Sequence, residues 1–194
     1  MDCRTWIYSA ALLVAVFGAS EASAEDAVAP QTPASFSPFD ELRLGVFAHN
    51  PINDENAPVD ASFEILTSPI SFGSNANPWI SAFINPRLDV GAMMNTGGRD
   101  SYGFAGLDWR FPLIDKLFFE GEFGGAVNNA PTRHEVDRVD LGCHETFRES
   151  GGFGYQITSN IDVVASVEHV SHADLCGHTN PGLTNFGLRL GSKF

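Results

Sequence analysis

From Glu41 to its end the chain breaks into segments of roughly ten residues, each bounded by Gly, Asn, Asp or Pro. The strand candidates are 41–49, 59–67, 84–95, 101–111, 116–128, 143–155, 161–172 and 183–194. The last of them shows the pattern most plainly. Thr184, Phe186, Leu188, Leu190, Ser192 and Phe194 fall on one face, and Asn185, Gly187, Arg189, Gly191 and Lys193 fall on the other. Side chains alternate along a strand, so this segment has one mostly apolar face and one small or basic face. No stretch after the N-terminal segment is long and apolar enough for a membrane-spanning helix.

An even set of such strands, closing on a terminal Phe194, predicts an all-β chain. The expected architecture is an eight-stranded antiparallel transmembrane β-barrel of the outer membrane, spanning 41–194. The apolar side of each strand would face lipid and the polar side the interior. Closure would satisfy every backbone hydrogen bond where no water is at hand. The rival architecture is a soluble periplasmic sandwich or lipocalin-like barrel. With both chain ends in the periplasm, the connections near 50–58, 96–100, 129–142 and 173–182 face outward, and those near 112–115 and 156–160 are short inner turns. The connection at 68–83 is long for an inner turn.

Composition narrows the field. At 194 residues the chain holds no more than one or two domains. With 43% apolar and 18% charged residues it is too apolar to be wholly disordered. Its 24 acidic against 11 basic residues exclude a nucleic-acid binder, which needs a basic face. Residues 1–24 read as a secretory signal peptide: Arg4, an apolar run from Ile7 to Ala19, then Ala22-Ser23-Ala24 before Glu25. The alternative, a membrane anchor, needs a longer apolar run. Residues 25–40, rich in Pro, Ala and Ser, read as a flexible lead-in. After cleavage two cysteines remain, Cys143 and Cys176, an even pair in an oxidising compartment. Both fall at the outer rim, which favours a disulfide over two free buried thiols. Glu120, Glu122 and Arg110 are expected inside the barrel as a polar network.

Strand seven carries the candidate chemistry. Ile161, Val163, Ala165, Val167, His169 and Ser171 share one face, and Asp162, Val164, Ser166, Glu168, Val170 and His172 share the other. His169 and Ser171 therefore lie side by side on the apolar face, near the outer end. Polar groups there are costly unless satisfied or used. An imidazole beside a hydroxyl can take its proton and let the oxygen attack an ester carbonyl. A polar interfacial girdle is the bland alternative. No cofactor and no metal is expected: His144, His172, His178 and Asp174 show no tight ligand spacing and read as scattered loop residues.

The stretch EHVSHADLCGHTNPGLTNFGLRLGSKF, and more broadly residues 143–194, resembles the end of the lipid A 3-O-deacylase family (PagL type). That family has an H-x-S-N motif, then an N-x-G segment leading into a last strand with a terminal aromatic. The resemblance implies an outer-membrane barrel with a Ser-His-Glu triad on its outer surface. It would hydrolyse the 3-position ester of lipid A in the outer leaflet without a metal. His169 matches the family base and Ser171 the nucleophile. Two positions depart from the pattern. The family Asn, assigned to the oxyanion site, is His172, which can also donate a hydrogen bond. The family Glu aligns with Thr184, with Asp174 in the adjacent loop as a substitute acid. The rival function is a non-catalytic barrel serving as a surface or adhesion protein.

Overall fold

Strand follows strand around a closed ring in which each neighbour in sequence is a neighbour in space. The computed structural model describes residues 35–52, 58–133, 135–136, 138–176 and 180–194. The expected signal peptide, 1–24, lies outside the described residues, as do 25–34 of the lead-in. From Ser37 the lead-in is tied to the barrel: Ser68 N–H donates to the Ser37 carbonyl at 2.9 Å, and Asp40 N–H to Leu66 O at 2.9 Å.

The elements are β1 (Glu41–Ala48), β2 (Val59–Leu66), α1 (Pro78–Ile84), β3 (Arg87–Asn95), β4 (Tyr102–Pro112), β5 (Leu117–Asn128), β6 (Glu145–Gln156), β7 (Ile161–Ser171) and β8 (Leu183–Lys193). All pairs are antiparallel, and β1 pairs with β8 to close the barrel, with Leu44 opposite Leu190. Closure leaves no open sheet edge. The four connections on one side, after β1, β3, β5 and β7, are the side expected to face outward; 113–116 and 157–160 on the other side are tight turns.

The expected strand at 84–95 begins later, at Arg87, because a helix precedes it. Asn77 caps α1, its Oδ1 accepting from the N–H groups of Trp79 at 2.9 Å and Ile80 at 3.3 Å. Pro78 fills the first turn, where a missing N–H is harmless. The helix then lies on the outside of β4. Trp79 stacks on Phe111, Phe83 on Trp109, and Trp109 Nε1 donates to the Phe83 carbonyl at 3.0 Å. This is why the connection after β2 exceeds a turn in length.

The lumen is filled by ion pairs. Arg43 makes a two-pronged bond to Glu120, both at 2.7 Å, and donates to Glu41 at 2.7 Å. Arg148 reaches Glu122 at 2.6 Å and Glu64, Asp89 and Glu168 at 3.1 Å each. Arg189 bonds Glu122 and reaches Ser150 Oγ at 2.7 Å. Arg110 joins Glu120 to Asp162, which places the expected polar network inside. Buried charges are tolerable only when paired and hydrogen-bonded, and each guanidinium here has several carboxylate partners. The outward wall is the opposite: Leu44, Val46, Val90, Phe123, Leu188 and Leu190 are all exposed.

Candidate functional site

β7 carries its alternation to its last residue. Glu168 and Val170 are buried, whereas His169 and Ser171 are half-buried on the outward wall. Register partners on β6 and β8 flank the middle of β7. His169 stands opposite Thr184 of β8 and opposite Glu149 of β6. Ser171 stands opposite Phe147 of β6.

The imidazole of His169 leans toward β8. Its Nδ1 lies 2.8 Å from Thr184 Oγ1. The Cε1 corner of the ring, between its two nitrogens, faces Gly182, just before β8. A Cβ placed on Gly182 would lie 2.9 Å from His169 Nε2 and would collide with Cε1. Gly182 also has φ +70, a conformation that side-chain-bearing residues adopt at a cost. Continuing the β7–β8 register by two residues sets Gly182 across from Ser171. Nδ1 is thus held at the level of Thr184, and the ring edge that carries Cε1 and Nε2 lies beside Gly182.

After Ser171 the chain makes a tight left-handed turn. Ala173 and Asp174 have φ of +49 and +62. Two consecutive non-glycine residues in this region store strain, which is characteristic of functional turns. His172 stabilises the turn from beneath. Its side chain is buried, its carbonyl accepts from Leu175 N–H at 3.0 Å, and its Nδ1 accepts from Cys176 N–H at 3.3 Å. Because Nδ1 accepts, the proton of a neutral ring is on Nε2. The His172 N–H donates to Asn180 Oδ1 at 3.4 Å. Asp174 is exposed at the tip of the turn. Of the two expected orienting groups, Thr184 bonds the imidazole and Asp174 does not.

Cys143 and Cys176 form a disulfide with Cα atoms 6.0 Å apart. It ties the long β5–β6 connection to the segment that follows the candidate nucleophile. Of the histidines set aside as loop residues, His178 lies outside the described residues and His144 is exposed. Among the described residues, the carboxylate groupings close enough to share a cation are Glu64, Glu122 and Glu168, and Asp108, Glu120 and Glu122. Both are in the lumen and already face arginines.

Directly below His169 on the same wall runs an apolar groove of about 540 Å³. Its sides are Phe119, Phe153, Val167 and Phe186, and its floor includes Gly151 and Ala165. The groove follows from placing small outward residues beside large ones on adjacent strands. Sequence reading also passed over Glu149. It is outward, exposed and directly across from His169. The register that joins them, with Gln156 opposite Asp162, is offset by one residue from a simple count away from the 157–160 turn.

The family model for lipid A 3-O-deacylase (PagL) matches residues 95–193, from the end of β3 to the end of β8. The chain belongs to the lipid A 3-O-deacylase (PagL) family. In fold this PagL-family chain is similar to the crystal structure of the outer membrane enzyme PagL. The TM-score is 0.58 at 17% identity, over 79% of this chain and 99% of that one. Less similar are the Yersinia pestis outer membrane protein Ail in a phospholipid nanodisc (TM-score 0.43, 12% identity, 80% and 99% covered) and a de novo designed transmembrane β-barrel (0.43, 11%, 83% and 98%). No curated protein matches the chain. PagL-family membership and a closed barrel with an apolar outer wall support an outer-membrane location.

Proposed function

We propose that the chain is a serine esterase of the outer membrane that removes the 3-position acyl chain of lipid A. The observation that carries this reading is the row on the outward wall. Ser171 and His169 face lipid together, and Thr184 holds the far side of the imidazole at 2.8 Å. In the working tautomer, His169 Nδ1–H donates to Thr184 and Nε2 is the base. Nε2 takes the Ser171 proton as Oγ attacks the ester carbonyl carbon. The C–O bond to the sugar breaks, and the 3-oxygen leaves with that proton. Water, activated by the same nitrogen, then hydrolyses the acyl-serine and releases the fatty acid. The N–H groups of Ala173 and Asp174, turned by the left-handed bend, are the oxyanion donors. His172, first considered for that role, supports the bend from inside. The groove lined by Phe153, Val167 and Phe186 accepts the acyl chain, so the substrate need not leave the leaflet.

Export through cleavage of residues 1–24, with 25–40 as a lead-in to the barrel, belongs to the same proposal. The decisive experiment is Ser171→Ala. Release of 3-hydroxy fatty acid from lipid A should cease while the barrel keeps its heat-modifiable migration; undiminished release would remove Ser171 from the mechanism. One observation favours a second reading. An uncharged Thr184 stands where the family has its acid, as in a barrel that serves as a surface protein without turnover. Mass spectrometry of lipid A from cells with and without the protein separates the two, because deacylation removes a defined acyl mass.

A further inference from the structure

A triad acid has two jobs. It fixes the orientation of the imidazole, and its negative charge stabilises the imidazolium that forms when the nucleophile gives up its proton. Thr184 does the first through its 2.8 Å contact with Nδ1 and cannot do the second, having no charge. Across the imidazole from Thr184 stands Glu149. The four outward residues Phe123, Glu149, His169 and Thr184 form one row across β5, β6, β7 and β8. Cβ atoms directly opposite one another in an antiparallel pair lie about 4.5–5.5 Å apart, within reach of a glutamate side chain.

The surroundings of Glu149 leave it few other uses. Its neighbour on β5 is Phe123, and the outward residues on either side of it along β6 are Phe147 and Gly151. Phe123 and Phe147 stack on each other, which closes that side with an apolar wall. Glu149 makes no hydrogen bond or ion pair with another described residue, and no arginine or lysine flanks it in register. In the lumen, by contrast, carboxylates are gathered around arginines. A carboxylate on the lipid-facing wall is costly and marks a functional position. Its register partner on β7 is the titratable residue His169.

We infer that the two jobs of the triad acid are divided here, with Thr184 orienting His169 and Glu149 supplying the negative charge. Glu149 is a positioning residue that acts through the imidazole and does not itself touch substrate. The inference rests on the esterase reading above. In a site with little water, a charge on the neighbouring strand stabilises the imidazolium more than it would in bulk water.

The test uses the full barrel in mixed micelles with lipid A, measuring fatty-acid release for the wild type and for Glu149→Gln, Glu149→Asp, Thr184→Glu and the double variant E149Q/T184E. Glu149→Gln should lower kcat on the order of 10- to 100-fold with KM nearly unchanged, less than the ~10⁴ lost with a full triad acid. Glu149→Asp should retain an intermediate rate. Thr184→Glu restores the family arrangement, so E149Q/T184E should recover the wild-type rate within a few-fold. Heat-modifiable migration verifies folding, and Glu149→Asp serves if the glutamine variant does not fold. An unchanged kcat in Glu149→Gln overturns the division of roles. So does a loss confined to KM, or one that E149Q/T184E fails to recover, since either points to a structural or lipid-binding role. Absence of release by the wild type itself, with substrate verified by an active deacylase, would refute the esterase reading instead.

Discussion

The lumen and the outer wall of this barrel treat polar groups in opposite ways. Inside, Arg43, Arg148 and Arg189 each face several carboxylates, and the partners are shared so that removing one group disturbs many. Outside, Ser171, His169, Thr184 and Glu149 form a small polar cluster on a largely apolar wall, joined by one side-chain hydrogen bond. Densely shared networks fix geometry and resist rearrangement. In the proposed esterase, a sparsely bonded cluster would keep a proton acceptor and a nucleophile available. The same chemical types thus serve stability on one face of a strand and, in the proposed mechanism, reactivity on the other, and along each strand the side is chosen by the parity of the residue number.

The contrast can be broken most strongly from within. Arg148→Ala would strand Glu64, Glu122, Glu168 and Asp89 without their shared cation. Removing one partner of a buried charge network costs about 3–5 kcal/mol. Urea titration of the folded band should show that loss, whereas fatty-acid release per folded molecule stays near wild type. A comparable fall in turnover per folded molecule would mean that lumen and wall are coupled. The converse probe is Gly182→Ala. The added methyl would push the imidazole off its position while leaving the network untouched. Misplacing a reacting group by about 1 Å can cost ~10²-fold, so turnover should drop by that order. Stability should fall only by about 1–2 kcal/mol, the cost of a side chain in the left-handed region. The mildest perturbation is the double variant Cys143→Ser with Cys176→Ser. The bond joins connections already hydrogen-bonded to their strands. Its loss should lie at the low end of the roughly 0–5 kcal/mol range seen for disulfides. A few-fold decrease in turnover is expected, read by the same release assay with and without a reductant.

Much of this arrangement was legible in the chain. Period-two alternation gave all the strands and the outward sense of His169 and Ser171, because a half-buried wall forces each residue to one side. Arg110, Glu120 and Glu122 could be assigned to the interior on the same ground. The start of β3 was misjudged because Ile84 continues an apolar run, while the capping by Asn77 and Pro78 that makes 78–84 helical is a local signal of another period. Thr184 was found by its place in a motif. Glu149 was not, since its significance lies in which strand it pairs with, and a motif confined to one segment holds no information across strands. The support that His172 gives the turn was likewise out of reach, as it depends on the path of the backbone after Ser171.

The plugged lumen has a consequence for how encounters are counted. Among the described residues, Arg43, Arg87, Arg148 and Arg189 are locked across its width, and in the proposed esterase whatever meets Ser171 would arrive sideways by diffusion in a plane. Saturation is then governed by crowding in two dimensions, by molecules per unit area instead of per unit volume. Diluting the glycolipid with inert amphiphile at constant bulk concentration should slow turnover just as withdrawing substrate would.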